Sequence, residues 1–331
     1  MQIALNIGFL VVGIAVLYLG AEWLIRGSAA IARSFGVKPL VVGLTVVAYG
    51  ASAPELAVAT KTALTGHQPI ALGTVIGSCA ANISLILGLT AIISPPTVDG
   101  RIIRREVPIL LGSAIAVPLL LWNGVLSRLE GAILMGCAVV FTILTLTVSA
   151  RLDPDLIDPE GEDNTKRADE SGAVLGGRGR PRTGKALAAL MSAFGLILLV
   201  VGSDLFVRGG RGIAGQLGMS ERMLGLTVIS IGCALPELIG SLVAASRGHS
   251  ALAVGSVIGS NLLNVFLVLG VTAYLQPIRF GERMHVVELI GLVAITLLGI
   301  LTLRGSRKIS RLEGVMLVLA YIAFIVASAL F

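Results

Sequence analysis

The sequence predicts an all-α polytopic membrane protein of ten transmembrane helices, arranged as two inverted five-helix repeats. Three observations carry that reading. Of the 331 residues, 55% are hydrophobic and only 13% charged, against roughly 25% charged in a soluble domain, and mean hydropathy is +0.94. The apolar residues fall into ten stretches, each near the roughly 20 residues that a bilayer core of about 30 Å requires. Two motif-bearing stretches recur at one constant separation of 182 positions.

This composition excludes a cytosolic enzyme, an ordinary soluble binding module and a disordered chain. Cys79, Cys137 and Cys233 are too few for a disulfide scaffold, and each sits in an apolar run. The net charge of +6 does not signal nucleic acid, because the basic residues are scattered between apolar segments and lack interleaved aromatics. The 41 glycines fit helices whose backbones approach closely.

In chain order the predicted spans are 3–25, 39–63, 70–95, 107–123, 129–149, 187–207, 223–246, 251–276, 286–303 and 312–330. The first has no basic segment before its apolar run, so it reads as a span and not as a cleaved signal. Residues 151–185 are the one long polar stretch, carrying acids from Asp153 to Glu170 and a basic run from Arg178 to Lys185. Their mixed charge and glycines read as a linker. Ten spans put both termini on one side. With the termini outside, 18 of the 25 Lys and Arg residues fall on the cytoplasmic side, with the linker. A multi-pass protein of the cell inner (plasma) membrane is the expectation.

The repeat is explicit. Gly43-Leu-Thr-Val-Val-Ala-Tyr-Gly-Ala-Ser-Ala-Pro-Glu55-Leu56 recurs as Gly225-Leu-Thr-Val-Ile-Ser-Ile-Gly-Cys-Ala-Leu-Pro-Glu237-Leu238. The same offset carries Gly73 to Asn82 onto Gly255 to Asn264, and Gly20, Glu22, Arg26 and Gly27 onto Gly202, Asp204, Arg208 and Gly209. The units are therefore 1–150, with its motif at 43–82, and 186–331, with its motif at 225–264. Five spans per unit is odd, so the second must insert upside down. Inverted repeats are an architecture of secondary transporters, with the substrate site at the midplane between the copies.

Glu55 and Glu237 lie deep inside the second and seventh spans at equivalent positions, with no Lys or Arg inside either span to neutralise them. A carboxylate at that depth costs at least about 2.5–3.5 kcal/mol on the insertion scale. Two converging there repel unless protons or a cation sit between them. Pro54 and Pro236, each among small residues, should break both helices and free backbone carbonyls, which a membrane tolerates only around a cavity or a ligand. The candidate site therefore combines Glu55 and Glu237 with the hydroxyls of Ser52, Ser78 and Ser260. The amides of Asn82 and Asn264 and the carbonyls near Ala48, Ala51, Ser230 and Cys233 complete it. This flexible, nearly all-oxygen set suits a hard cation, Ca2+ better than octahedral Mg2+. The glycine pairs 73/77 and 255/259 are expected to press these helices against the broken ones. Cys233 reads as a small apolar filler. His67 and His249, also 182 apart, read as loop residues near helix ends, and Glu22–Arg26 and Asp204–Arg208 as interfacial i,i+4 pairs.

The segments 43–56 with 73–82, and 225–238 with 255–264, resemble the two alpha-repeats of the cation/Ca2+ antiporter superfamily, most of all its prokaryotic sodium/calcium exchanger branch. The resemblance implies that Glu55 and Glu237 ligate Ca2+ and share in Na+ binding. It implies help from the backbone at Ala51 and Cys233 and from the side chains of Ser52, Ser78, Asn82 and Ser260. It also implies alternating access, with the first and sixth spans sliding across the rest. The family pattern Gly-Thr-Ser-x-Pro-Glu is here Gly50-Ala-Ser-Ala-Pro-Glu55 and Gly232-Cys-Ala-Leu-Pro-Glu237. A carbonyl ligand survives the changes at Ala51 and Cys233. The family uses the hydroxyl missing at Ala234 at a flanking sodium site, so Na+ against H+ coupling stays open. Asn264 replaces the Asp of potassium-dependent members, which implies no K+ requirement. The expected activity is Na+/Ca2+ antiport extruding Ca2+. A proton-coupled Ca2+ or Mn2+ exchanger is the alternative, and a cation channel fits less well. No enzyme motif is present and no cofactor is expected, Ca2+ and Na+ being transported ions. The lipid bilayer is the expected environment, no nucleic acid is a partner, and a monomer suffices.

Overall fold

The computed structural model describes residues 2–35, 43–98, 102–150, 184–216, 218–246, 250–279, 286–305 and 308–330, together with residues 41, 100 and 248. Most of the predicted linker and His249 lie outside the described residues.

The described chain is helical, in ten successive rods. Helix α1 is Gln2–Phe35. Helix α2 opens with a wide π turn, Gly43–Val47, continues as Ala48–Ala51, kinks at Ser52 and resumes as Ala53–Leu64. Helix α3 is Gln68–Ala80, a π turn Ala81–Ile86, and Leu87–Ile93. Helix α4 joins Ile102–Glu106 to Val107–Leu120. Helices α5 and α6 are Arg128–Ala150 and Lys185–Gln216. Helix α7 joins Glu221–Leu224, a π turn Gly225–Ile229 and Ser230–Ser246. Helix α8 joins Ser250–Leu263, a π turn Asn264–Leu269 and Gly270–Leu275. Helices α9 and α10 are Val286–Gly305 and Arg311–Leu330.

Eight of these are long and apolar enough to cross a membrane among the described residues. The exceptions are α2 and α4. The kink at Ser52 divides α2, and α4 opens on Arg104, Arg105 and Glu106. Helices α3 and α8 form the centre: residues 70–80 and 252–263 are buried without a break, as expected of helices apolar all round. Exposed apolar side chains lie on the outer helices, for example Leu5, Val11, Leu190 and Ile197, which is a lipid-facing surface.

Helices α1 and α6 correct the predicted ends of 25 and 207. They run on to Phe35 and Gln216, so at 1.5 Å per residue each is about 50 Å long and must tilt to fit a core of about 30 Å. They cross antiparallel in backbone contact. A Cβ at Gly13 would lie 2.8 Å from Phe206 N, one at Gly20 2.8 Å from Leu199 N, and one at Gly27 2.7 Å from Ala188 O. Glycine every seven residues is what permits this approach, since lipid offers no hydrophobic drive and close packing must hold the pair. The ion pairs Arg26 Nη2–Glu22 Oε1 (2.6 Å) and Arg208 Nε–Asp204 Oδ2 (2.7 Å) therefore lie within these helices, not at their ends.

Contacts between connections sort them onto two ends of the bundle. At one end β1 (Val125–Leu126) pairs antiparallel with β2 (Ile278–Arg279), and Gln68 Oε1 accepts from Arg279 N at 2.9 Å. Arg222 Nη2 donates there to Ser328 O at 2.5 Å. At the other end Ile309 N donates to Pro96 O at 3.1 Å and Ser94 Oγ to Ala245 O at 3.0 Å.

Candidate cation-binding site

Both glutamates are placed at the centre by irregular helix. In α2, Ser52 adopts φ −79°, ψ 1° and ends one short helix, while Pro54 stands in the first turn of the next. Proline is tolerated there because the N–H it lacks would have no intrahelical partner. Glu55 is therefore in the first turn of a helix, where the macrodipole favours a negative charge. The second copy differs from expectation: α7 runs through Pro236 without a break, as Ser230–Ser246. The small residues Gly232, Cys233 and Ala234 leave room for the ring, and the irregularity lies instead in the π turn upstream. Matching π turns open both motifs, at 43–47 and 225–229, and two more carry Asn82 and Asn264. Such turns recur at functional sites because they leave backbone groups unpaired.

Glu55 is fully buried and Glu237 is 1% exposed. They lie close enough to repel when both are charged. Ser52 Oγ donates to Glu237 Oε1 at 3.5 Å, joining the two halves. Ser78 sits beside Glu55, and Ser260 beside Glu237. Ser78 Oγ donates to Ser230 O at 3.4 Å. Ala48, Ala51, Ser230 and Cys233 are all buried. The Ala48 carbonyl is not free, since it accepts from Ser52 N at 2.9 Å. Cys233 packs with Ile70 and Ile229, as a filler would.

Around this centre eight buried polar atoms have no hydrogen-bond partner among the described residues: both oxygens of Glu55, Oε2 of Glu237, Oγ of Ser260, and both amide atoms of Asn82 and of Asn264. Natural interiors leave few such atoms, because each costs about 1–3 kcal/mol. Their concentration at the two copies of one motif makes this centre the candidate place for a ligand. No group of three His, Cys, Asp or Glu that could hold a metal occurs among the described residues. The residues gathered here could offer an ion two carboxylates and neutral oxygen donors, the kind of set that suits a hard cation.

The glycine contacts are as expected where they are described. A Cβ at Gly73 would lie 3.1 Å from Arg222 O, one at Gly77 2.6 Å from Ser230 Oγ, and one at Gly259 2.9 Å from the Ala48 Cβ. His67 is exposed in the loop before α3. Two further buried acids escaped the motifs, Glu106 and Glu288. Each contacts an arginine, Arg105 Nε at 3.6 Å and Arg222 Nε at 3.5 Å, which distinguishes them from the central pair. They too are 182 apart, and that offset is the signal that finds them. Tyr321 and Ser241, also buried with hydroxyls unpartnered among the described residues, lie outside the repeated segments 225–238 and 255–264.

A helical membrane protein with paired buried carboxylates at its centre has the build of a cation antiporter. The chain belongs to the sodium/calcium exchanger protein family, which matches residues 5–147 and 187–330, leaving the polar stretch between them unmatched. It is 36% identical over 320 residues to the putative antiporter CaxA of Alkalimonas amylolytica, covering 96% of each chain. To the sodium/calcium exchanger MaX1 of Methanosarcina acetivorans it is 29% identical over 345 residues, covering 98% of this chain and 99% of that one. Among solved structures it matches the sodium-calcium exchanger NCX_Mj in crystals soaked with Na+ and Sr2+, with a TM-score of 0.77, 31% identity and 98% of each chain covered.

Proposed function

We propose that this membrane cation/Ca2+ antiporter exchanges Na+ for Ca2+, extruding Ca2+ by alternating access through one overlapping site between Glu55 and Glu237. The observation that carries this is the set of eight unpartnered buried polar atoms around two carboxylates. Ser52, Ser78, Asn82, Ser260 and Asn264 complete the site, with backbone oxygens near Ala51, Ser230 and Cys233. A divalent ion cancels the charge of both carboxylates, and monovalent ions do so in sequence. With the site empty, two unpaired charges would have to cross the membrane interior, so the bare protein changes state slowly. That barrier makes transport an exchange and not a leak.

We read the chain as two five-helix units of opposite orientation. In support, the end of α2 lies near Gln68 and β2, and the end of α7 lies near Ser94, at the opposite end of the bundle. The excess of Lys and Arg assigns the end holding Pro96 and Ile309 to the cytoplasm, with the termini outside and a plasma membrane location. A second reading has one specific support: Ala234 stands where the first copy has Ser52, so protons on the same carboxylates could replace Na+. Purified protein in liposomes separates the two. Ca2+ release driven by an inward Na+ gradient at equal pH is expected, and release driven by a pH gradient alone would refute sodium coupling. Glu55→Gln is expected to abolish transport, and normal Ca2+ flux in that variant would refute the site.

A further inference from the structure

The piece of α2 that ends at the Ser52 kink is a single helical turn, Ala48–Ala51. So short a helix has no stability of its own, since isolated helices below about 12 residues are marginal. Its surroundings therefore decide where its last carbonyls and the Ser52 hydroxyl point. Three neighbours hold it. Ala48 lies against α8, where a Cβ on Gly259 would stand 2.9 Å from the Ala48 Cβ. Gly50 faces α1 and α6, and a Cβ there would stand 3.3 Å from Leu24 Cδ2 and 3.5 Å from Leu196 Cδ1. Both contacts are apolar, and apolar contact sets a distance without setting a direction. The third is directional: Tyr49 Oη lies 2.6 Å from Thr142 Oγ1 on α5.

The donor of that bond follows from the next one. Thr142 Oγ1 donates to Ala138 O at 2.8 Å, so its one proton is in use. Tyr49 is therefore the donor, in a chain that runs through Thr142 to a carbonyl of α5. Helix α5 is itself pressed on α8, where a Cβ at Gly131 would lie 2.6 Å from Tyr274 N. The turn is thus tied to the helix that carries Ser260 and Asn264. The second copy has no equivalent tie. The residues 182 positions after Tyr49 and Thr142 are Ile231 and Phe324, neither with a hydroxyl, and there the helix continues through its proline. The polar contact accompanies the kinked copy alone.

We propose that Tyr49 and Thr142 are positioning residues of the cation site. Their hydrogen bond holds the Ala48–Ala51 turn in the kinked arrangement that presents the Ala51 carbonyl and sets Ser52 Oγ 3.5 Å from Glu237 Oε1. This rests on the reading above that the cation binds between Glu55 and Glu237. Neither residue touches the ion. The bond raises affinity by preparing the donors before the ion arrives, and it acts on one repeat only.

The test is Ca2+ binding to the purified full chain without Na+, with thermal unfolding of the same samples. Wild type and Glu55→Gln come first: equal Ca2+ binding by the two would refute the central site itself. Given loss of binding in Glu55→Gln, Tyr49→Phe and Thr142→Val should each raise the half-saturating Ca2+ concentration about fivefold, the effect of one hydrogen bond. The double variant should do no worse than either, because the same bond is lost in all three. Thr142→Ser keeps the acceptor and should bind as wild type does. Ser94→Ala is the comparison, since it removes a 3.0 Å bond to Ala245 O away from the site. Its unfolding midpoint should fall as theirs does, with Ca2+ affinity unchanged. Wild-type affinity in Tyr49→Phe and Thr142→Val, or additive losses in the double variant, would overturn the positioning role while leaving the central site intact. An equal loss of affinity in Ser94→Ala would overturn it as well, since general loosening of the bundle produces that.

Discussion

The sharpest test of the packing is one methyl group, Gly77→Ala. Gly77 lies where α3 bears on α7. A Cβ there would overlap the Leu226 carbonyl oxygen and stand 2.6 Å from Ser230 Oγ and 2.7 Å from Ser230 Cβ. Favourable carbon contacts begin at about 3.5 Å, so the two helices must part by about 1 Å. The nearest obstacle is the Leu226 backbone carbonyl, which cannot rotate aside as the Ser230 hydroxyl can, and overpacking of this kind costs about 1–3 kcal/mol. The Ser78–Ser230 hydrogen bond, already 3.4 Å long, cannot survive that movement. A shift of about 1 Å in a working site can cost about 100-fold. The expected result is Ca2+ transport reduced by one to two orders of magnitude, with a lower Tm, in liposome flux and thermal unfolding of the purified protein. Gly136→Ala is the control. Nothing lies within 4 Å of a Cβ there, and Ala is the better helix former by about 1 kcal/mol. Transport by Gly77→Ala at the wild-type rate, with unchanged KM for Ca2+ and unchanged Tm, would refute the reasoning.

Three more outcomes follow from particular contacts. Gly20→Ala puts a Cβ 2.8 Å from Leu199 N and 2.9 Å from Gly195 O, so it should wedge α1 from α6 and slow turnover while leaving Ca2+ binding near wild type; weaker binding with normal turnover would contradict a role confined to these helices. Tyr49→Phe removes a 2.6 Å hydrogen bond to Thr142 Oγ1 and should cost about 1 kcal/mol, read as a lower unfolding midpoint. Arg222→Leu takes the guanidinium from the buried Glu288 carboxylate and should destabilise by about 3 kcal/mol; the double variant Arg222→Leu/Glu288→Leu should recover much of that, and no recovery would argue against a direct pair.

Membrane class, the ten helical stretches and the identity of the central acids follow from local properties. Hydropathy over 20 residues is a running average, and a constant 182-residue offset needs no knowledge of packing. Glu55 and Glu237 stood out because a charge in an apolar run is costly wherever the helix ends up. Proline chemistry was less legible. Pro54 begins a helix and Pro236 rides inside one, because the outcome depends on what space the neighbouring helices leave for the ring.

By itself, then, the sequence determined that this chain crosses a membrane, that its halves repeat one pattern, and which two acids sit at equivalent depths in apolar runs. Only the tertiary structure decided that Ser52 reaches across to Glu237, that α1 and α6 touch backbone to backbone, and that Tyr321 arrives beside Ser230 from 91 residues away. Hydropathy and periodicity are properties of neighbours along the chain. Which oxygen faces which carboxylate is set by helix approach, and that depends on every side chain at the contact.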